Sequence, residues 1–131
     1  MVEVELSRII IDEQKGEQLI VLKEAKGERI LPIVIGISEA AAIKMHISDF
    51  SPPRPMTHDL LCSVFSEVGV RLELIVIDKL LDSTFHAKLY LRLGIGGLKI
   101  IDARPSDSIA LAVRTKSPMF VEDEVFDNMA K

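Results

Sequence analysis

The sequence predicts an α+β fold: a mixed, mainly antiparallel β-sheet covered by about three α-helices in a single compact domain. Three observations predict it. Apolar and polar residues alternate strictly where Phe85, Ala87, Leu89, Leu91 and Leu93 interleave with His86, Lys88, Tyr90 and Arg92, the mark of a half-buried strand. Apolar stretches of helical spacing follow hydroxyl residues suited to capping, at Thr57 and Ser106. The resulting order, βββα-αββ-βα-β with a weakly helical tail, is neither regular βα alternation nor all-β.

Along the chain, Val2, Val4 and Leu6 alternate with polar residues and lead into Ile9–Ile11, giving a strand over about 2–12. A polar turn at Gln14–Gly16 precedes a strand at Leu19–Leu22, and Lys26-Gly27-Glu28 turns the chain into Ile30–Ile35. That third strand is apolar on both faces and is expected to lie centrally in the sheet. Ser38 is the expected cap of a helix through Ile47, with Glu39 complementing its positive end. Ser51-Pro52-Pro53-Arg54-Pro55 is rigid and extended. Thr57 then caps a helix that ends at Gly69. Strands follow at Val70–Val76, 85–93 and 98–101, then a helix from Ser106. Met119–Val121 is a short strand expected at an exposed edge, before an acidic tail over 122–130.

A chain of 131 residues is expected to form one domain, and 48% hydrophobic residues against 27% charged supply a real core. With no Trp and one Tyr, that core is aliphatic. The single cysteine, Cys62, excludes an internal disulfide and suits a reducing cytoplasm. The start, Met1-Val2-Glu3-Val4-Glu5, is unlike a signal peptide, and no apolar run approaches the ~18 residues of a membrane helix. A cytoplasmic protein without a membrane partner is expected. Net charge is −4, so bulk electrostatics will not coat this protein with nucleic acid. A few arginines in a cleft could still grip one phosphodiester.

Two corners at helix starts carry the chemistry, the first of them running out of a strand. Asp102-Ala103-Arg104-Pro105-Ser106-Asp107 leads into Ile109–Val113, and Arg54-Pro55-Met56-Thr57-His58-Asp59 leads into Leu60–Phe65. Helix-start amides beside an arginine make a phosphate site. Asp107 also has a purely structural reading, because an acid there complements the helix dipole. Asp102 is expected to pair with Arg104 or Arg54. Asp102 or Asp107 is expected to contact one of those arginines, with both helix starts on one side of the sheet. His58 suits general acid–base work but equally a surface position in a first helical turn. His58 and Cys62 share a helix face, too few ligands for zinc.

Those corners, with Leu31-Pro32-Ile33-Val34-Ile35-Gly36 and Glu39-Ala40, closely resemble the bifunctional nuclease domain family over nearly the whole chain. Ser108 stands where alanine is usual. The resemblance implies cleavage of DNA and RNA, a compact α+β fold and self-association. It carries onto Glu39, Arg54, Thr57, His58, Asp59, Asp102, Arg104, Ser106 and Asp107, each of which fills its motif position. On this reading the protein is a nuclease assisted by a divalent cation, Mg²⁺ or Mn²⁺, held by Glu39, Asp59 and Asp107. Arg54, Thr57, Arg104 and Ser106 would bind substrate, and His58, Asp59, Asp102 and Asp107 would be catalytic. A second reading stays open: a non-catalytic oligomeric binding or regulatory module for an anionic ligand or protein partner. Low basic content and the lack of an aromatic stacking surface favour it.

Overall fold

In the computed structural model, which describes residues 1–12, 14 and 16–130, the strands are β1 (Val2–Asp12), β2 (Glu17–Glu24), β3 (Ile30–Ile35), β4 (Val70–Leu81), β5 (Thr84–Leu93), β6 (Leu98–Ala103) and β7 (Met119–Val121). The helices are α1 (Ile37–Ile47), α2 (Thr57–Glu67), α3 (Pro105–Thr115) and α4 (Asp123–Met129). The strands form a single sheet in the order β3-β2-β1-β7-β4-β5-β6. All its neighbours pair antiparallel except β4 and β7, which are parallel. This is the mixed, mainly antiparallel α+β sheet that the patterning predicts. Lys15 of the expected Gln14–Gly16 turn lies outside the described residues; Gly16 donates to the Asp12 carbonyl.

Two strand positions differ from expectation. β3 is an edge strand: Leu31 and Ile33 are buried in the core, whereas Ile30 and Val34 are exposed. Its apolar second face is therefore largely open to solvent, with Pro32 half-buried. The strand expected at an edge, β7, is internal, inserted between β1 and β4. Burying it from both sides matches its apolar sequence better than exposure would, with Val121 fully buried. The acidic tail forms a proper fourth helix among the described residues, anchored by buried Val125 and Phe126. Arg29 holds it, stacking on Phe126 at 4.4 Å and donating to Asp123 at 3.0 Å.

All three caps read from hydroxyl residues sit earlier in the chain. α1 is capped at Gly36 and not Ser38, α2 at Met56 and not Thr57, and α3 at Arg104 and not Ser106. At α2 the Asp59 carboxylate accepts the Met56 backbone N–H at 3.0 Å, the acid's half of a capping box. At α3, Pro105 occupies the first helical position, where its missing N–H costs nothing. Ser108 donates to the Arg104 carbonyl at 2.9 Å, a use for its hydroxyl that alanine lacks. Gly69 ends α2 with φ +74, the left-handed conformation of a helix terminator.

One hydrophobic core joins the inner face of the sheet to α1, α3 and α4, with Ile20, Leu22, Leu31, Ile43, Ile75, Ile77, Ile109 and Leu111 fully enclosed. Each such side chain contributes about 1.5–3 kcal/mol. α3 is the central helix, buried along most of its length and packed on α1, α2, β4 and β5. α2 lies outside it and buries no residue completely. No helix among the described residues is long and apolar enough to cross a membrane.

Candidate functional site

β6 delivers the chain to Arg104 at the start of α3, and the extended backbone there lets the guanidinium fold back over the first turn. Its Nε donates to Asp107 Oδ2 at 2.9 Å and its Nη2 to Asp107 Oδ1 at 3.3 Å. Its Nη1 reaches across to Glu39 Oε1, in the first turn of α1, at 3.3 Å. His58, in the first turn of α2, places Nε2 at 2.9 Å from Asp107 Oδ1. A chain of polar contacts, His58–Asp107–Arg104–Glu39, thus ties the starts of α1, α2 and α3 together. A cavity of about 270 Å³ opens over it, lined by Ser38, Glu39, Met56, Thr57, His58 and Arg104. The expected contact of Asp107 with Arg104 is present, and both corners border this one cavity.

Gly36 matters to this arrangement. A Cβ there would collide with the Glu39 carboxylate, so glycine three residues before the glutamate lets that side chain lie back against its own helix start. Asp107 feels opposing influences. Burial pushes its carboxyl up, but hydrogen bonds from Arg104 and then His58 outweigh that and leave it below the usual carboxylate range. An ionised Asp107 only accepts hydrogen bonds, so a neutral His58 carries its proton on Nε2 and leaves Nδ1 as the basic nitrogen.

The other predicted residues are distributed around this cluster. Thr57 lines the cavity, and its hydroxyl has no hydrogen bond among the described residues. Ser106 is buried in the first turn of α3 and borders a different, larger cleft. Arg54 borders a separate cavity of about 400 Å³ with His46, Phe50 and the neighbouring prolines, and pairs with no acid among the described residues. Asp102 does not pair with Arg104 or Arg54. It accepts from Lys88 at 3.0 Å on the sheet face away from α3, because strand alternation points it opposite to Ala103.

Asp59 turns away from His58. Its Oδ1 accepts from Arg114 Nε at 2.7 Å, and Arg114 first, with the Met56 amide in support, holds its carboxyl below the usual range. Arg114 is the residue that sequence reasoning missed. Its side chain is 6% exposed, and it also donates to the carbonyls of Ala110 at 2.9 Å and Ala42 at 3.1 Å. The available signal was a lone arginine two turns after Asp107 in an otherwise apolar helix.

The acids assigned to a cation therefore do not gather: Asp59 is held by Arg114, while Glu39 and Asp107 share Arg104. Among the described residues no group of three or more His, Cys, Asp or Glu side chains is placed to hold a metal ion. As arranged, the donor set does not fit a resident Mg²⁺ or Mn²⁺.

Fold and site together define an α+β domain whose three helix starts meet at a polar pocket lined by Glu39, His58 and Arg104, the last two held by Asp107. The chain belongs to the bifunctional nuclease domain family, whose signature matches residues 20–131. It is 40% identical over 125 residues to an uncharacterized protein of Mycobacterium tuberculosis, spanning 95% of this chain and 74% of that one. It is 30% identical over 114 residues to Bifunctional nuclease 2 of Oryza sativa subsp. japonica, spanning 85% of this chain and 35% of the rice protein. Bifunctional nuclease of Oryza minuta is 27% identical over 112 residues, 83% of this chain and 34% of its own length.

Proposed function

We propose that this domain is a phosphodiesterase that cleaves DNA and/or RNA at the cavity between the three helix starts. The observation that carries the reading is the convergence of those starts on a pocket lined by Arg104 and His58, with Glu39 beside them and Asp107 holding both from behind. Helix-start amides and a guanidinium favour a phosphate dianion or diester at that point. Of the five N–H groups of Arg104, three donate to Asp107 and Glu39, leaving two for a phosphate oxygen. His58 Nδ1 would take a proton from the attacking water and return one to the departing ribose or deoxyribose oxygen. Asp107 would hold the ring and stabilise its cationic form.

No step of this chemistry is routed through a cation, and a metal-assisted route is the alternative that chelation decides. Purified protein is expected to cleave single-stranded RNA or DNA above a mock-purified control and to go on doing so in EDTA. Loss in EDTA with recovery in Mg²⁺ or Mn²⁺ would instead place a cation on these carboxylates with substrate bound. Absence of cleavage with retained anion binding would favour the non-catalytic module, a reading supported by the mutual neutralisation of Glu39, Asp107 and Arg104.

Self-association belongs to the same proposal, but not through β7. Exposed apolar side chains that a second copy could cover include the Leu60, Val64 and Val68 stripe on and just past α2, and Leu98, Ile100 and Ile101 on the β6 edge. Covering such surfaces with a second copy is the common solution. Light scattering is expected to give a mass at least twice the 14.6 kDa of the chain, and a monomer across micromolar concentrations would contradict it.

A further inference from the structure

Cavities run end to end across the helix starts. The central one, of about 270 Å³, shares Met56 with the Arg54 cavity and Arg104 with a cleft of about 790 Å³. That cleft lies between the free edge of β3 and the β4–β5 hairpin, whose turn residues Asp82 and Ser83 both adopt positive φ. We propose that this line of cavities is the path of one single strand of nucleic acid, with a phosphate in the central chamber and a base in each outer one. The inference rests on the phosphodiesterase reading of the central chamber and adds the form of the substrate.

Each arm has the chemistry for its part. In the first, Arg54 is exposed and unpaired among the described residues, and the nearby Asp59 is occupied by Arg114. Phe50 borders the same cavity with its side chain 57% exposed, beside the stiff Pro52-Pro53 segment. A base stacked on an aromatic ring with an arginine at the adjoining phosphate is how single strands are bound without sequence preference. Phe50 thus supplies a stacking surface that composition concealed. In the second arm, Val34, Leu80 and Phe85 form apolar walls, and Thr84, Ser106 and Asn128 offer hydrogen bonds to a base edge. Its volume is that of a small-molecule site.

A duplex does not fit this path. Its bases are stacked and paired inside, and each must be flipped out before entering a cavity. Consecutive chambers require a strand already unstacked. With a net charge of −4, affinity must come from these local contacts rather than from a basic surface.

The test measures binding of a fluorescein-labelled oligothymidine with hydrolysis-resistant phosphorothioate linkages, alone and annealed to its complement. Wild-type protein is expected to prefer the single strand. Phe50→Ala and Val34→Glu are each expected to weaken that binding at least about fivefold with unchanged melting temperature. Both side chains are well exposed, Val34 at 62%, so both variants should fold. Equal affinity for single strand and duplex, or wild-type affinity in both variants, overturns the proposal. If the variants lose binding while wild-type protein cleaves nothing, the path stands and the catalytic reading fails. If cleavage requires His58 but both variants bind normally, the catalytic reading stands and the path fails.

Discussion

Asp107→Asn is expected to lower the rate of nucleic-acid cleavage by about two to four orders of magnitude, the range a positioned acid–base group contributes. The substitution keeps the side chain's size and the start of α3, where Pro105 and the Arg104 backbone define the cap. It removes the charge that accepts from both Arg104 and His58. An amide can accept on one atom but must present an N–H on the other, so it meets a donor of Arg104 or His58 unfavourably. His58 then loses its reason to carry the proton on Nε2, and Arg104 loses the contact that aims it. Stability should fall by only about 1–2 kcal/mol, because Asp107 is partly solvated. Single-turnover cleavage alongside thermal melting separates the two effects. Undiminished cleavage by a stable Asp107→Asn protein would reduce the His58–Asp107–Arg104 chain to a structural lock.

Arg114→Ala is expected to produce the largest stability loss of any polar substitution near the site, about 2–4 kcal/mol. It strips the Asp59 carboxylate of its charged partner and removes the side-chain donor that ties α3 to the Ala42 carbonyl of α1, loosening the joint between α1, α2 and α3. For a chain of this length that is a fall in melting temperature of roughly 7–15 °C. Lysine should rescue less than half, since an ammonium cannot span three acceptors in one plane. The pH profile provides a separate signature. Asp59 is held below its ordinary pKa in the folded protein, chiefly by Arg114, so the associated stability is complete above the unfolded value of about 4. It disappears as pH falls through the lower folded value. The urea midpoint of the wild type should therefore drop steeply below about pH 4, and the drop should be shallower in Arg114→Ala. Parallel acid limbs in the two proteins would mean that the Arg114–Asp59 pair contributes little.

What was legible in the sequence was local. The alternation of 85–93, the left-handed terminator Gly69, the Arg-Pro corners and the chain order of strands and helices all depend on residues within a turn or two of each other. So does the Arg104–Asp107 contact, which spans one helical turn. The family resemblance was legible for a related reason: its motifs are contiguous segments, each encoding one strand end or helix start. The caps fall one or two residues before the hydroxyls because a helix can start without one, with an acid at its third position as in α2 or a proline at its first as in α3.

Everything that required knowing which segments meet was decided by the tertiary structure. The place of β7 depends on β1 and β4, whose paired residues lie 44 positions away at the nearer, and three apolar residues look the same at an edge as inside a sheet. Asp59, Asp102 and Asp107 are equivalent as acids beside a helix or strand end, yet Arg114, Lys88 and Arg104 take one each. A charge takes the partner that folding brings within about 4 Å, and that geometry is fixed by how α1, α2 and α3 pack on the sheet. The sequence by itself determined an α+β domain of this family with helix starts rich in charge. Only packing decided that three of those starts share one pocket, that His58 leans on Asp107, and that Arg114 lies beneath it all, because these contacts join residues separated by 49, 55 and 72 positions.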